Sequence, residues 1–578
     1  MALLQSASPN VAIKEVDLSG IVPGVTTTTG AFVGDFAWGP VQQPILVGNE
    51  AELVANFGDP TFSNDSSAIE FLSANQFLKY SSNMFVVREV TTAAKNAVDS
   101  GTSLLIKNRD DFDAGVTITG SGSFAAKYAG AAGNSLKISI AGKGLGWDGG
   151  VWAYASSFDA EPGTSSYVSA RADSAADAND EVHVAIIDED GVFSGTPNTV
   201  LETFANVSLA TDAKTTDGTA NYLLDVLNDR SSYVWGVSHP PQFGTAGAAT
   251  GFDFSNRAAS GDSAGAAFTS SFTDGENSAS LTSTQYATGF DEFEDENTIQ
   301  VDFLIAPGMA NATSHKTVIN DLVTTAEARK DCVVVASPHR AAVVGVNNNT
   351  TITTNITDNV DFTKSSYLIV DNNYLKVYDK YNDKYQFIPA ASSTAGIMAS
   401  TDDVAAPWFS PAGTRRGLYR GVTSLAYNPS KSQRDTLYKA GVNPIANLPG
   451  QGIVLYGDKT FLGRSSAFDR INVRRLFLVI ERAIKGAAQN VLFEFNDEFS
   501  RAEFVNIVEP FLREIQGRRG ISDFRVVCDE TNNTGQIIDT NSFVASIFVK
   551  PARSINYVTL NFVAVRTGVD FEEVVGAV

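Results

Sequence analysis

Two glycine-rich stretches have the residue spacing of nucleotide-binding and nucleophile motifs. Gly144, Gly146 and Gly149 match GxGxxG, which normally leads from a strand into a helix whose N-terminus binds a pyrophosphate. The next residues, GVWAYASSF, have no helical pattern, which favours a glycine turn. Ser263 lies in a GxSxG match, but AASGDSAGAAF contains no apolar strand that could build a nucleophile elbow. We therefore predict no catalytic residue and no cofactor-binding residue.

Candidate metal ligands are equally sparse. Asp188 and Asp190 in DEDG lack the spacing of a calcium-binding loop, so a solvated turn is the preferred interpretation. No histidine has a second histidine or a cysteine three or four positions away, the spacing that a helical metal site uses. The histidines are His183, His239, His315 and His339. We predict no metal site and no cofactor.

Composition is that of a globular protein with several domains. The chain has 578 residues, of which 43% are hydrophobic and 19% charged, and single cores stop growing well below this length. Cys332 and Cys528 lie far apart in apolar runs, so core packing in a reducing compartment is their expected role. The first residues, MALLQSASPN, do not resemble a signal peptide, and no apolar run has the ~20 residues that a membrane span needs.

Charge is distributed unevenly along the chain. The formal net charge is -23, yet residues 411–578 hold 21 basic and 17 acidic side chains. This uneven charge distribution favours an arrangement in which one end of the protein faces solvent and the other end contacts a partner. The overall acidity disfavours direct binding of nucleic acid, which needs a dominant basic surface.

The stretch INVRRLFLVIERAIKGAA (471–488) concentrates basic residues in this acidic chain. Its apolar residues recur at helical spacing. At about 100° per residue, its charged side chains fall on one arc of roughly 140°. The arc contains Arg470, Arg474, Arg475, Arg482 and Lys485, with Leu478 in its middle. Two interpretations are open at this point: a solvated face, or a basic face directed at an acidic partner.

Two βαβ units are predicted on either side of a segment of different composition. Near-continuous apolar runs such as VDFLIAPG are typical of buried parallel strands. The first unit has a strand near residues 30–34, a helix at 66–83 and a strand at 84–90. The second has a strand at 301–308, a helix at 314–329 and a strand at 332–338. The segment between them is rich in Gly, Ser, Ala, Thr and Asp, which predicts a β-rich surface insertion.

Both ends of the chain, and one helix near the C-terminus, have distinct local signals. Ser500 and Glu503 have capping-box spacing, which predicts that a helix containing Pro510 begins there and ends near Gly517. The N-terminus and the run INYVTLNFVAV (555–565) are predicted to be extended.

Segments along the chain resemble contractile tail sheath proteins of myovirus-type phages. The C-terminal third carries APWFSPAGTRRGLYRGV (406–422), LYKAGVNPI (437–445), GQGIVLYGDKTF (450–461), INVRRLFLVIE (471–481) and CDETNN (528–533). SPNVAIKEVD (8–17) is similar to the family's N-terminal arm, with Asn10 where a glycine is common. DFLIAPG and CVVVASP resemble its middle segment, and AKYAGAAGNSLKISI (126–140) its inserted domain.

The resemblance implies a mechanical, non-enzymatic function. Sheath subunits polymerise as stacked hexameric rings around an inner tail tube, and contraction drives the tube through the host envelope for genome ejection. The implied partners are further copies of the chain, the inner tail tube protein, and baseplate and tail terminator proteins, with no direct nucleic acid or membrane contact. The implied location is the virion tail, after assembly in the host cytoplasm.

The resemblance also gives roles to particular residues. Terminal arms of one subunit would add strands to sheets in its neighbours, and we assign this role to Val11, Ile13, Val16, Val558, Leu560 and Phe562. The resemblance also favours a basic helix that faces the tube through Arg470, Arg474, Leu478, Arg482 and Lys485. Arg475, at the edge of the arc, could instead bond within the subunit.

We predict a multidomain fold of the α/β plus β class. A discontinuous α/β core from both termini would carry a β-rich insertion and extended arms. The predicted parts are an arm at 1–22, a middle domain at 23–90 with 285–405, an acidic insertion of one or two subdomains at 91–284, a conserved C-terminal domain at 406–553 and an arm at 554–578. The rival functions are the sheath of a phage-derived injection system or bacteriocin particle, and a hydrolase or nucleotide-using enzyme.

Overall fold

A computed structural model describes most of the chain. The described residues are 27–60, 65–120, 122–143, 146–147, 152–171, 179–243, 246–249, 267–554 and 556. The six residues assigned to the arms, which are Val11, Ile13, Val16, Val558, Leu560 and Phe562, lie outside them, as do Gly144, Gly149 and Ser263. The chain divides into two compact units. The larger unit holds the described residues up to 407 and 411–485, and the smaller unit holds 408–410 and those from 486 onward.

The described residues form both β-strands and α-helices, interspersed along the chain. The strands are β1 (Gly30–Gly34), β2 (Ile45–Val47), β3 (Met84–Arg88), β4 (Phe124–Ala126), β5 (Leu136–Gly142), β6 (Glu181–Asp188), β7 (Thr199–Ser208), β8 (Val234–Gly236), β9 (Phe268–Ser271), β10 (Phe303–Ile305), β11 (Val333–Ala336), β12 (Leu368–Val370), β13 (Tyr374–Asp379), β14 (Lys384–Pro389), β15 (Ser424–Leu425), β16 (Ile445–Leu448), β17 (Gly452–Leu455), β18 (Ile521–Val527) and β19 (Ser546–Pro551). The α-helices are α1 (Glu50–Phe57), α2 (Asp65–Leu78), α3 (Arg109–Asp113), α4 (Ser166–Ser169), α5 (Leu223–Arg230), α6 (Ser283–Asp291), α7 (Ala312–Arg329), α8 (Arg340–Val343), α9 (Asn349–Asn359), α10 (Ala391–Val404), α11 (Lys431–Lys439), α12 (Ile471–Gln489), α13 (Glu498–Gly517) and α14 (Gly535–Asp539).

A six-stranded sheet with the order β12-β11-β10-β1-β3-β2 forms the centre of the larger unit. All neighbouring strands are parallel except β2, which is an antiparallel edge. Successive side chains point to opposite faces of a strand, so Phe32 packs with Phe77 of α2 and Met398 of α10 on one face. On the other face Leu304 packs with Leu322 of α7. Helices cover both faces, which explains the near-continuous apolar strands and confirms the mixed α/β class.

The second predicted βαβ unit is confirmed, with small shifts at its ends. Helix α7 begins two residues earlier than predicted because the Asn311 side chain accepts the N–H groups of Thr313 and Ser314, at 2.9 and 3.1 Å. It ends at Arg329, because the C-cap Lys330 has a φ of 61°, in the left-handed region that terminates helices.

Strands β4 to β9 lie between β3 and β10 in the chain and form separate sheets. A four-stranded antiparallel sheet has the order β7-β6-β5-β9, and β4 pairs with β8. At the end of β6 the interpretation of Asp188 as part of a solvated turn is wrong. Asp188 is fully buried, and its carboxylate accepts the backbone N–H groups of residues 191–194 and the Ser135 hydroxyl. These bonds stabilise the ionised form, so the pKa of Asp188 is lowered despite its burial.

Residues 411–485 belong to the larger unit, so the predicted boundary at 406 does not coincide with the division between the units. The hairpin of β16 and β17 places Ile445 and Leu455 in the same buried cluster as Phe303 of the central sheet. Ile471 and Leu478 of α12 join that cluster. Residues 411–485 belong to the larger unit because of apolar contacts with residues distant in sequence. Such contacts cannot be predicted from the composition of the segment.

The smaller unit contains α13, α14 and an antiparallel pair of β18 and β19. Helix α13 begins before the predicted Ser500, because Asp497 is the N-cap and accepts the Ser500 N–H at 2.8 Å. Pro510 lies inside this helix, as predicted.

Candidate functional site

The basic stretch forms α12, and its part in the larger unit lies at one edge of the central sheet. Thr27, Asp302 and Asp331 shortly precede β1, β10 and β11, so they mark the amino ends of three neighbouring parallel strands. Arg475 and Arg482 of α12 bond to these three residues. These arginines are two helical turns apart and lie on roughly the same face of α12. The helix is therefore attached to the sheet edge at two points.

Arg475 forms the most buried ion pair of this edge. Its Nη1 donates to Asp402 Oδ1 at 2.7 Å and to the Met398 carbonyl at 3.0 Å, and its Nη2 bonds to Asp402 Oδ2. The two side chains are 4% and 5% exposed. Burial raises the pKa of Asp402, and the Arg475 charge opposes that rise. This bidentate geometry is the strongest form of the arginine–carboxylate interaction.

Arg482 makes the second attachment, near the other end of the same segment. Its Nη1 lies 2.7 Å from Asp302 Oδ1, and its Nη2 donates to the Asp331 carbonyl at 2.9 Å. Burial raises the pKa of Asp302 to about 6, although Arg482 and a 2.9 Å bond from the Thr29 N–H lower it. A cavity of about 10 Å³ remains beside these groups, room for at most a single water.

Arg474 lies between two aromatic rings. Its guanidinium carbon is 4.3 Å from the Tyr367 ring centre and 4.2 Å from that of Phe468. Burial is the largest influence on the pKa of Arg474 and lowers it. Arg474 and Leu478 are both buried. A guanidinium can stack on aromatic faces where an ammonium cannot match the planar contact.

The two ends of the segment are held less tightly. Arg470 Nη1 donates to Tyr438 Oη at 2.6 Å and to Asp458 Oδ1 at 2.9 Å. Lys485 pairs with Glu296 and is 53% exposed. Of the five residues predicted to face a tube, Lys485 is the one whose side chain is more than half exposed.

The predicted orientation of the basic arc therefore needs correction. Arg474, Leu478 and Arg482 point into their own subunit, and Arg470 is mostly covered. The physical reason is that four aspartates of the larger unit supply the acidic partners inside the chain; they are Asp302, Asp331, Asp402 and Asp458. The expectation that Arg475 bonds within the subunit agrees with the structure. A tube contact through Lys485 stays a prediction.

Sequence reasoning did not identify these aspartates. Asp302 and Asp331 directly precede the apolar runs FLIAPG and CVVVASP. An acidic residue at the start of each of two buried parallel strands, together with an arginine-rich amphipathic helix, was the available signal. Asp402 gave no such signal, because it lies in a helix 73 residues from Arg475.

Glu70 is the centre of a second buried polar group, on the face of the sheet covered by α2. Its carboxyl bonds to the Tyr286 hydroxyl and accepts the Asp35 N–H at 2.5 Å. Burial, and next the Asp35 charge, raise the pKa of Glu70 to about 8. The group is therefore mostly protonated at neutral pH, and it is held by hydrogen bonds from Asp35, which directly follows β1, and from Tyr286 of α6.

We expect Glu70→Gln to reduce the pH dependence of stability. The raised pKa means that the contribution of Glu70 to stability is fully present below about 4.5 and is lost as the pH rises through about 8. At about 1.4 kcal/mol per pKa unit, the loss is on the order of 5 kcal/mol. Glutamine keeps the neutral shape, so the variant should gain stability relative to wild type between pH 5 and 8. Urea unfolding across this range measures the difference, with exposed Glu503→Gln as control; parallel profiles of wild type and Glu70→Gln would contradict the assignment.

The described residues contain neither a cluster of metal ligands nor a membrane-spanning helix. In this part of the chain no group of three or more His, Cys, Asp or Glu side chains has a metal-binding arrangement. Its helices are also too short or too polar to cross a bilayer.

Comparison with known proteins identifies the family of this chain. Its residues 27–88 match a model described as "Tail sheath protein Gp18 domain III N-terminal region", 279–461 match "Phage tail sheath protein central domain", and 464–564 match "Phage tail sheath C-terminal domain". The tail sheath protein of Vibrio phage KVP40 is 32% identical over 98% of this chain and 99% of its own length. The chain belongs to the phage tail sheath family.

Further relatives agree with this sheath assignment. The tail sheath protein of Salmonella phage ViI is 34% identical over 98% of each chain. A sheath tail protein from Listeria innocua has the same fold, with a TM-score of 0.55, at 13% identity over 92% of this chain and 94% of its own. The fastening helix α12 lies inside the matched C-terminal domain, whereas most of its carboxylate partners lie inside the matched central domain.

Proposed function

We propose that this sheath protein polymerises as stacked hexameric rings around an inner tail tube and contracts to drive the tube through the host envelope. In this proposal it is a non-enzymatic part of the virion tail, assembles in the host cytoplasm and also contacts baseplate and tail terminator proteins. The observation that carries the proposal is the similarity to tail sheath proteins of two phages along 98% of the chain.

The buried ion pairs of α12 support this mechanical role. Subunits of a contracting polymer rotate as rigid bodies, while links between neighbours persist. Arg475 and Arg482 join α12 to residues that are 73 and 151 positions away in the chain. These bonds join residues 471–485 of α12 to the central sheet, so this part of the larger unit can move as one body.

The β18–β19 pair offers a place for inter-subunit links. In the described part of the chain each of these strands pairs only with the other. Each therefore presents a row of backbone donors and acceptors along its outer edge. We propose that arms of neighbouring subunits, at 1–22 and 554–578, add strands to these edges.

Contact with the tube is proposed for the exposed end of α12. Lys485 is accessible there, whereas Arg474 and Arg482 are engaged within the subunit. An exposed pair contributes only about 0.2–1 kcal/mol. A contact of this kind is weak in each subunit and is repeated along the tail, which suits a tube that must be released.

Polymerisation of the purified full-length chain tests the proposed function. We expect negative-stain images with tubes or short stacks of six-fold rings, and assembly without added nucleotide. A protein that stays monomeric over all concentrations and salt conditions, or that needs nucleotide hydrolysis to assemble, would contradict the proposal.

A further inference from the structure

The smaller unit exposes a cluster of large apolar side chains in residues 492–499, named here the aromatic loop. Phe493 is fully exposed and Phe495 is 85% exposed, and Leu492 and Phe499 are exposed as well. Soluble monomers rarely expose such contiguous apolar groups, and patches of this kind mark interaction sites. Phe493 has a φ of 72°, an outlier for a bulky residue.

The aromatic loop also carries negative charge. Glu494 and Glu498 are exposed, and neither forms an ion pair with a described residue. Asp497 is engaged differently, as the cap of α13. The loop therefore presents aromatic rings flanked by two available carboxylates, and its partner should combine an apolar hollow with basic side chains.

The larger unit has a cleft with this chemistry, named here the arginine cleft. Its volume is about 360 Å³, within the range of pockets that accept small ligands, roughly 300–1,000 Å³. Tyr80, Val404 and Leu418 supply apolar surface, and Val404 and Leu418 are exposed. The basic side chains of the lining are Arg415, Arg416 and Arg420.

The positive charge of the cleft is only partly compensated. Arg415 and Arg420 are exposed, and no carboxylate of the described residues forms an ion pair with either. Arg420 lies 5.3 Å from the Tyr80 ring centre, so it borders the apolar floor. Burial and the neighbouring Arg415 charge both lower the pKa of Arg416. Carboxylates placed in the cleft would relieve this repulsion.

We propose that the aromatic loop of one subunit docks into the arginine cleft of a second copy of this chain. Phe495 or Phe493 fills the apolar hollow, and Glu494 and Glu498 pair with Arg415 and Arg420. The two surfaces differ, so the contact is heterologous and leaves one free loop and one free cleft at the ends of any open assembly. Contacts of this type generate rings or open helical polymers. The inference rests on the proposed function and adds to it a contact independent of the terminal arms.

Cross-linking between two single-site variants tests the contact directly. The native thiols Cys332 and Cys528 are buried, so Phe495→Cys in one chain and Val404→Cys in a differently tagged chain can be joined by a short bis-maleimide. We expect a mixed dimer only when both variants are present. Phe495→Cys with Lys431→Cys, an exposed residue outside the cleft, is the matched control and should give none. Equal yields for both pairs would overturn the proposal.

Charge reversal provides a second measurement. Glu494→Arg with Glu498→Arg, and separately Arg415→Glu with Arg420→Glu, should each raise the critical concentration for polymerisation at least about tenfold, because like charges then face each other. All four changes in one chain should return it to within about threefold of wild type, since the pairing is restored with opposite sign. The controls are Glu503→Arg and Lys431→Glu, with melting temperatures to verify folding. Should the Arg420 change unfold the chain, Arg415→Glu alone paired with Glu494→Arg serves the same comparison.

The outcomes separate this contact from the proposed function. Wild-type tubes that form normally, with no specific cross-link and no restoration by the four changes, would overturn the docking contact and leave the sheath function intact. A wild-type chain that neither polymerises nor cross-links would overturn both. Reversed-loop chains that polymerise normally but no longer bind purified tail tubes would assign the aromatic loop to the tube and overturn the contact between copies.

Discussion

Asp402→Ala is expected to lower the free energy of unfolding of the larger unit by about 3–5 kcal/mol, the usual cost of leaving one member of a buried ion pair without its partner. Arg475 would keep its bonds to the carbonyl groups of Met398 and Thr27 but lose both bonds to the carboxylate. It would also stay buried against Phe303, whose ring centre lies 4.9 Å from its guanidinium carbon. Urea unfolding of wild type and variant measures the change.

Two comparisons distinguish the buried pair from general effects of charge removal. Glu509→Ala breaks the exposed i,i+4 pair with Arg513 and should change the free energy of unfolding by less than about 1 kcal/mol. Asp402→Leu combined with Arg475→Met removes both charges and should cost less than Asp402→Ala, because no buried charge is left without a partner. If Asp402→Ala and Glu509→Ala had equal small effects, α12 would not be fastened through this pair.

Deleting residues 1–22 or 554–578 is expected to produce folded subunits that no longer polymerise at the wild-type concentration. If an arm contributes about four backbone hydrogen bonds at roughly 0.5–1.5 kcal/mol each, its loss weakens a link by about 2–6 kcal/mol. At 1.4 kcal/mol per tenfold, the critical concentration then rises by about 30-fold or more. Sedimentation and negative-stain imaging over a concentration series measure this rise.

A pair of point variants isolates the backbone bonds of the C-terminal arm. Leu560→Pro removes one backbone N–H, whereas Leu560→Ala shortens the side chain and keeps that donor. We expect the proline variant to polymerise much more weakly than the alanine variant. Truncated chains that formed long tubes at the wild-type concentration would rule out the arms as links between subunits.

The sequence determined which elements form in the α/β part of the chain. The apolar runs at 301–308 and 332–338 predicted β10 and β11, and the periodic stretch between them predicted α7. These predictions succeeded because strands buried on both faces need uninterrupted apolar residues, and a helix cap is a local signal. The pattern at 471–488 likewise predicted an amphipathic helix, which the structure shows as α12. The ordered family motifs identified the sheath family for the same reason, since they are present in the linear chain.

Only the tertiary structure decided what the basic face of α12 contacts. Helical periodicity shows which side chains share a face, and it carries no information about the element that covers that face. Arg475 and Arg482 meet Asp402 and Asp302 because the chain folds four segments distant in sequence to one sheet edge. Once a desolvated carboxylate lies there, an arginine must pair with it or leave a buried charge without a partner. The basic face therefore turned inward, and the sequence alone determined its existence but not its direction.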